Sequence, residues 1–254
     1  MSEIESPIES AKRIIESGPA EYEVSFEVAG KRLEGSIIEA GHKGLFDILL
    51  IGGGGHIPHK DYYGAWQNEL ASVGVSSMSF DFRGVGASEG QLSETGLGTR
   101  LEDARSAVDY FKKQRPNRKL YIMGVSMGGT TAIQLANEIQ ADGLVLAAPA
   151  AYSEEARHKL FGPEFTAALK QEDSWVNSPD FDGLEQFKGK LILVHGDQDD
   201  VIPAPILQHY DNTARKNGTV LVIPGVGHRF MRQDDAESIA ARRELQVSLE
   251  IIAS

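Results

Sequence analysis

The chain has 254 residues, 41% hydrophobic and 24% charged, with 27 glycines, 10 prolines and no cysteine. Without cysteine there is no disulfide framework, no thiol nucleophile and no cysteine-held zinc or iron–sulfur site. Its 25 Lys+Arg against 37 Asp+Glu give a net charge of −12, which lacks the basic footprint of a nucleic-acid binder and predicts repulsion from anionic membrane surfaces.

No apolar run approaches the ~20 residues of a membrane helix. The opening MSEIESPIES is acidic and polar, the opposite of a signal peptide's basic and then apolar start. The expectation is a soluble, cytoplasmic globular protein that handles a small molecule, with neither nucleic acid nor membrane as partner. Its length fits a single α/β domain over residues 1–254.

In chain order, Ile4, Ile8, Ala11 and Ile15 share one helical face and predict a short amphipathic helix over 3–16. Tyr22 to Val28 alternates as a half-buried strand, and Ala29-Gly30 turns it into a second strand over Leu33–Ile38. Nearly continuous apolar runs follow at 45–51, 75–82, 119–125, 143–148, 190–195 and 219–223. Runs apolar on both faces fit the buried strands of a parallel sheet.

Between these runs, helical spacing marks 62–73 (Tyr63, Trp66, Leu70, Val73) and 97–113 (Leu97, Leu101, Ala104, Val108, Phe111). It recurs over 127–140 (Ile133, Leu135, Ala136, Ile139) and in a long closing helix over 233–252. Alternation of strand and helix predicts an α/β fold: a mostly parallel, doubly wound sheet entered through an antiparallel hairpin. Residues 149–187 exceed an ordinary βα connection and read as a small helical cap inserted in the domain.

Two segments match Gly-x-Ser-x-Gly, at Gly86–Gly90 and Gly124–Gly128. The motif carries chemistry only where a strand enters it and a helix leaves, because the serine sits on a strained turn between them. KLYIMG precedes Ser126 and MGGTTAIQLANEI follows it, whereas polar, glycine-broken QLSETGLG follows Ser88. Ser126 is therefore the nucleophile candidate and Ser88 a loop serine. A serine hydroxyl needs a base held by a third group, and with this motif the chain order is Ser, acid, His. An acidic turn, Asp197-Gln198-Asp199-Asp200, follows the strand 190–195, and a glycine-rich loop ending in His228 follows the strand 219–223. Loops at the carboxyl ends of a parallel sheet share one rim, so the three segments can converge.

Other motifs miss their patterns. Gly52–Gly55 is not followed by Gly-Lys-Ser/Thr, so it is no P-loop, and Gly84-Val85-Gly86 lacks the third glycine of a dinucleotide fingerprint. His56 and His59 lie three apart around Pro58, unlike the i, i+4 pair of helical zinc sites, and are expected at the mouth of the active site. Neither a metal nor an organic cofactor is expected. Trp175, Phe161 and Phe165 either line an acyl pocket or form the cap's own small core.

Over roughly residues 20–250 the chain resembles the α/β-hydrolases, in particular small serine esterases, lipases and aminopeptidase-like members with a cap between strands six and seven. That family's His-Gly-x-x-Asp pattern is matched by His195-Gly196-Asp197-Gln198-Asp199, which implies Asp199 as the acid. Its late Gly-His pair implies His228 as the base. Asp81-Phe82-Arg83-Gly84-Val85-Gly86-Ala87-Ser88 resembles the loop after the family's fourth strand, a structural feature. Where most relatives carry His-Gly after strand three, this chain has four glycines. Alignment on the strand implies the Gly54 amide as one oxyanion donor, with Gly53 and Gly55 as alternatives, and Met127 as the other. The resemblance implies a serine hydrolase cleaving the ester of a small soluble substrate. The same residues could serve a thioester, amide or carbon–carbon bond, or a non-catalytic binding protein, since function resides in the site and not the fold. The oligomeric state is not legible.

Overall fold

The computed structural model describes residues 18–41, 44, 46–55 and 59–253. The helix expected over 3–16 and the pocket candidate His56 lie outside them. The chain enters through the hairpin β1 (Ala20–Val28) and β2 (Lys31–Glu39). Ala29 and Gly30 between them take φ of 49° and 71°, the left-handed backbone that a two-residue hairpin turn requires.

Six further strands follow: β3 (Phe46–Ile51), β4 (Ser76–Phe80), β5 (Lys119–Val125), β6 (Gly143–Ala147), β7 (Lys190–Gly196) and β8 (Thr219–Ile223). They form one eight-stranded sheet in the order β1-β2-β4-β3-β5-β6-β7-β8. β1 and β4 pair antiparallel with β2, and the strands from β4 to β8 run parallel. β3, β4 and β6 are buried along their whole length, as apolar or small-residue runs enclosed on both faces should be.

Helices cover both faces. α1 (His59–Tyr62) and α2 (Gly64–Ser72) follow β3, and α3 (Leu97–Gln114) follows β4. α4 (Gly128–Glu138) follows β5, and α5 (Glu154–Arg157), α6 (Pro163–Leu169) and α7 (Pro179–Gln186) form the insertion between β6 and β7. α8 (Ala204–Ala214) links β7 to β8, and α9 (Ala236–Ala253) closes the chain. Trp66 and Leu70 of α2 join Leu245 and Leu249 of α9 in the core on one face. Leu101 of α3, Ala132 of α4, Leu184 of α7 and Leu207 of α8 belong to the larger core on the other.

The strand order reverses at β3, since the chain moves outward to β4 and then back across to β5. In open α/β sheets such a reversal leaves a crevice beyond the carboxyl ends of the two central strands. Gly52–Gly55 leaves β3 there and Ser126 leaves β5.

Candidate active site

Ser126 stands between β5 and α4 with φ of 54°, a left-handed conformation that costs a side-chain-bearing residue ~1–3 kcal/mol. The surroundings hold it. Ser126 N–H donates to Ala147 O at 2.9 Å, and Ser126 O accepts from Gly129 N–H at 3.0 Å and Ala150 N–H at 3.1 Å. The flanking glycine follows from close approach: a Cβ on Gly128 would lie 2.2 Å from Ile51 O. Ser88 sits in a different setting. Its Oγ donates to Asp81 O at 2.6 Å and accepts from Glu34 N–H at 2.9 Å, so it ties a loop to β2.

Ser126 Oγ lies 3.1 Å from His228 Nε2, and His228 Nδ1 lies 2.8 Å from Asp199 Oδ2. Three segments separated by up to 102 residues thus meet in one hydrogen-bonded chain. The Asp199 side chain is 1% exposed and that of His228 11%. Asp199 Oδ1 accepts from the Val201 and Ile202 amides at 2.9 and 2.8 Å, which fixes the rotation of the carboxylate. Burial pushes the Asp199 carboxyl up, but the His228 contact and those two amides outweigh it and hold it below the ordinary carboxylate range.

The other acids of the turn do different work. Asp197 Oδ1 accepts from Gly225 N–H at 2.7 Å, bracing the loop that carries His228, and Asp200 is exposed. His195 Nε2 pairs with Asp211 Oδ1 at 2.8 Å and so ties the end of β7 to α8 beneath the turn. Arg83 is committed to Asp103 and Glu102 at 2.6 and 2.7 Å, a structural bracket for the loop after β4.

A cavity of about 560 Å³ opens over Ser126 and His228. Gly53, Gly54 and Met127 line it, with Trp175, Leu169 and Ile206 among the apolar walls. A Cβ on Gly53 would stand 3.3 Å from Ser126 Cβ, a tight approach that would crowd the serine. Trp175 lines this cavity, and Phe161 is not among its lining residues. The bridge between Gly96 and Leu160, together with the Phe161 N–H bond to Thr95 O at 2.8 Å, pins that segment to the start of α3. There Phe161 packs edge-on against Phe165 at 5.0 Å, at the margin of the larger core. His59 also lines the cavity but is buried, and burial with the nearby Arg100 charge lowers its pKa to about 3, so it is neutral. Among the described residues no group of three or more metal-ligating side chains converges.

One further buried residue at this site, Arg100 of α3, belongs to no motif in the sequence. It is 1% exposed, and its Nη1 donates to Gly53 O at 2.6 Å. Its signal is positional: Arg100 falls on the buried face set by Leu97, Leu101 and Ala104.

The profile of the S33 serine aminopeptidase family matches residues 48–177, just over half of the chain. The chain belongs to the S33 family of α/β-hydrolases. An uncharacterized protein of Mycobacterium tuberculosis is 30% identical over 164 residues, covering 63% of this chain and 55% of that protein. Lysophosphatidylserine lipase ABHD12 of Xenopus tropicalis is 28% identical over 170 residues, covering 61% and 43%. The chain spans about half the length of these curated relatives. Among solved structures, the S33 chain is similar in fold to Est1E from Butyrivibrio proteoclasticus with bound ferulic acid (TM-score 0.69, 21% identity, 89% of this chain and 99% of that one). It also resembles the Pyrococcus furiosus esterase PF2001 (TM-score 0.69, 18% identity, 96% and 94%). Among the described residues no helix of this S33 hydrolase is long and apolar enough to cross a membrane.

Proposed function

We propose that this hydrolase is a serine esterase that cleaves the carboxylic ester of a small soluble substrate through an acyl-enzyme on Ser126. The observation that carries the reading is the hydrogen-bonded chain Ser126–His228–Asp199 at 3.1 and 2.8 Å, with Ser126 and His228 lining the cavity. His228 takes the Ser126 proton as Oγ attacks the carbonyl carbon, while Asp199 fixes the tautomer and stabilises the imidazolium. The Gly54 and Met127 amides receive the oxyanion. His228 then returns the proton to the leaving alcohol, and a water activated by the same imidazole releases the acid. A cavity of this volume suits a compact substrate, with Trp175 and Leu169 offering apolar contact to the acyl group. A relative named as a lipase is in keeping with ester chemistry.

Steady-state turnover of short-chain aryl esters by Ser126→Ala tests the reading. The expected loss is at least ~10⁴-fold in kcat with unchanged circular dichroism. Retained turnover in the folded variant would contradict it.

A further inference from the structure

Gly52–Gly55 carries no side chain with which to fix itself, yet oxyanion donors work because they are in place before charge develops. Arg100 supplies the anchor from outside the loop. Its Nη1 donates to Gly53 O at 2.6 Å and reaches Gly52 O at 3.4 Å. The Phe82 and Phe161 rings lie 4.4 and 5.1 Å from the guanidinium carbon. Asp103, the acid nearest in sequence after Glu102, is bonded to Arg83 instead, and Arg100 Nε and Nη2 find no partner among the described residues. A buried cation without a carboxylate is costly, so packing alone does not account for an arginine where a leucine would fill the space.

The planar trans peptide supplies the next step. Gly53 C=O and Gly54 N–H belong to one peptide unit and point to opposite sides. With Gly53 O held on the Arg100 side, Gly54 N–H is turned away from α3 towards the cavity that Gly54 lines. A charge-assisted bond to the carbonyl also polarises the amide and strengthens its N–H as a donor. We propose that Arg100 is the positioning residue of the oxyanion site, locking the Gly53–Gly54 peptide so that Gly54 N–H meets the developing charge. The inference rests on the acyl-enzyme reading above.

The test compares Arg100→Met and Arg100→Lys in the full chain. Arg100→Met should lower kcat by ~10²-fold, as loss of one oxyanion donor does, with KM little changed and Tm equal or higher. Arg100→Lys, whose ammonium holds one carbonyl without the guanidinium's fork, should lose roughly tenfold. In the hemiketal that Ser126 forms with an aryl trifluoromethyl ketone, carbon-13 titration should show a higher oxyanion pKa in Arg100→Met than in the wild type. Wild-type kcat in Arg100→Met, or a kcat loss with unchanged hemiketal titration, overturns the proposal. If Arg100→Met does not fold, wild-type kcat in Arg100→Lys overturns it. Active Ser126→Ala would instead bring down the underlying reading.

A separate observation bears on the substrate. Arg229 follows the proposed base directly, and both Arg229 and Arg232 line the cavity. Arg232 stacks on Tyr62 at 4.9 Å, while the acids that follow, Asp234 and Asp235, turn to Arg242 and Ser238. On a chain of net charge −12, this places two arginines without a carboxylate partner among the described residues beside the group that protonates the leaving alcohol. We infer that the leaving alcohol bears an anionic group, a carboxylate or a phosphate, and this too rests on the esterase reading. Butyrate esters of 3-(hydroxymethyl)benzoate, 3-(hydroxymethyl)phenyl phosphate, 3-(hydroxymethyl)benzamide and 3-(hydroxymethyl)benzylamine test it. The better anionic ester should exceed the amide by roughly tenfold in kcat/KM, and the ammonium ester should trail. The gap should narrow with salt and collapse in Arg229→Gln/Arg232→Gln. Whichever anion leads names the source. Equal rates, or the amide or ammonium fastest, overturn the inference, whereas no turnover of any ester by the wild type counts against the esterase reading.

Discussion

Asp199→Asn changes one atom, and the structure dictates its consequence. Oδ1 of Asp199 accepts from two backbone amides, so in the variant that position must hold the asparagine carbonyl oxygen. The NH₂ group then faces His228 Nδ1, which can only accept, and the imidazole proton moves to Nε2. There it points at Ser126 Oγ, and the base has become a donor. An enforced wrong tautomer costs ~10⁴ in kcat in the serine protease triad, equivalent to about 5.5 kcal/mol of barrier. Steady-state turnover of an aryl ester near neutral pH, with thermal melts to verify folding, should show that loss at nearly constant KM. Asp197→Asn keeps an acceptor for Gly225 N–H and Asp200→Asn alters an exposed side chain, so both should remain close to wild type. Near-wild-type kcat in Asp199→Asn, or a larger loss in Asp200→Asn, would refute the reasoning.

Three further outcomes are expected. Ser88→Ala removes one buried and one part-buried hydrogen bond and should lower stability by ~1–3 kcal/mol in urea melts while leaving kcat intact, the reverse of Ser126→Ala. Gly128→Ala should destabilise by ~3 kcal/mol or more, because its Cβ would overlap Ile51 O of the central strand; a wild-type urea midpoint would show that the strand can yield. His59, with a folded pKa of about 3 against 6.5 when exposed, takes up its proton more readily unfolded, so its part of the stability is complete above pH 6.5 and falls as pH drops towards 3. In His59→Leu the difference in unfolding free energy between pH 7 and pH 5 should therefore shrink by about 2 kcal/mol, and an unchanged difference would place the titration elsewhere.

Much of this architecture is legible in the sequence because its signals are local. Six apolar runs correspond to β3–β8, and the alternation of Tyr22–Val28 to the edge hairpin, since burial on two faces or one writes itself into the side-chain period. The choice of Ser126 over Ser88 was legible because strand and helix flank only the first. Helix α8 is hard to read from the sequence, although Ile206, Tyr210 and Ala214 form its buried face behind Pro203; the polar QHYDNT stretch masks the period. The place of Phe161 is not legible, because an aromatic residue in an insertion looks the same whether it faces a cavity or a core, and the deciding bridge between Leu160 and Gly96 is non-local. Arg100 is illegible for a related reason. Its carbonyl partners lie 47 and 48 residues away in a loop without side chains, so no spacing rule connects them.

The central claim is that Ser126 is an activated nucleophile served by His228, Asp199 and a working oxyanion site. Incubation with a fluorophosphonate, followed by intact mass and peptide mapping, tests it most directly. One adduct per chain, on the peptide carrying Ser126 and absent from Ser126→Ala, is the predicted result. A folded protein that stays unmodified, or is labelled equally at another serine, would contradict the account.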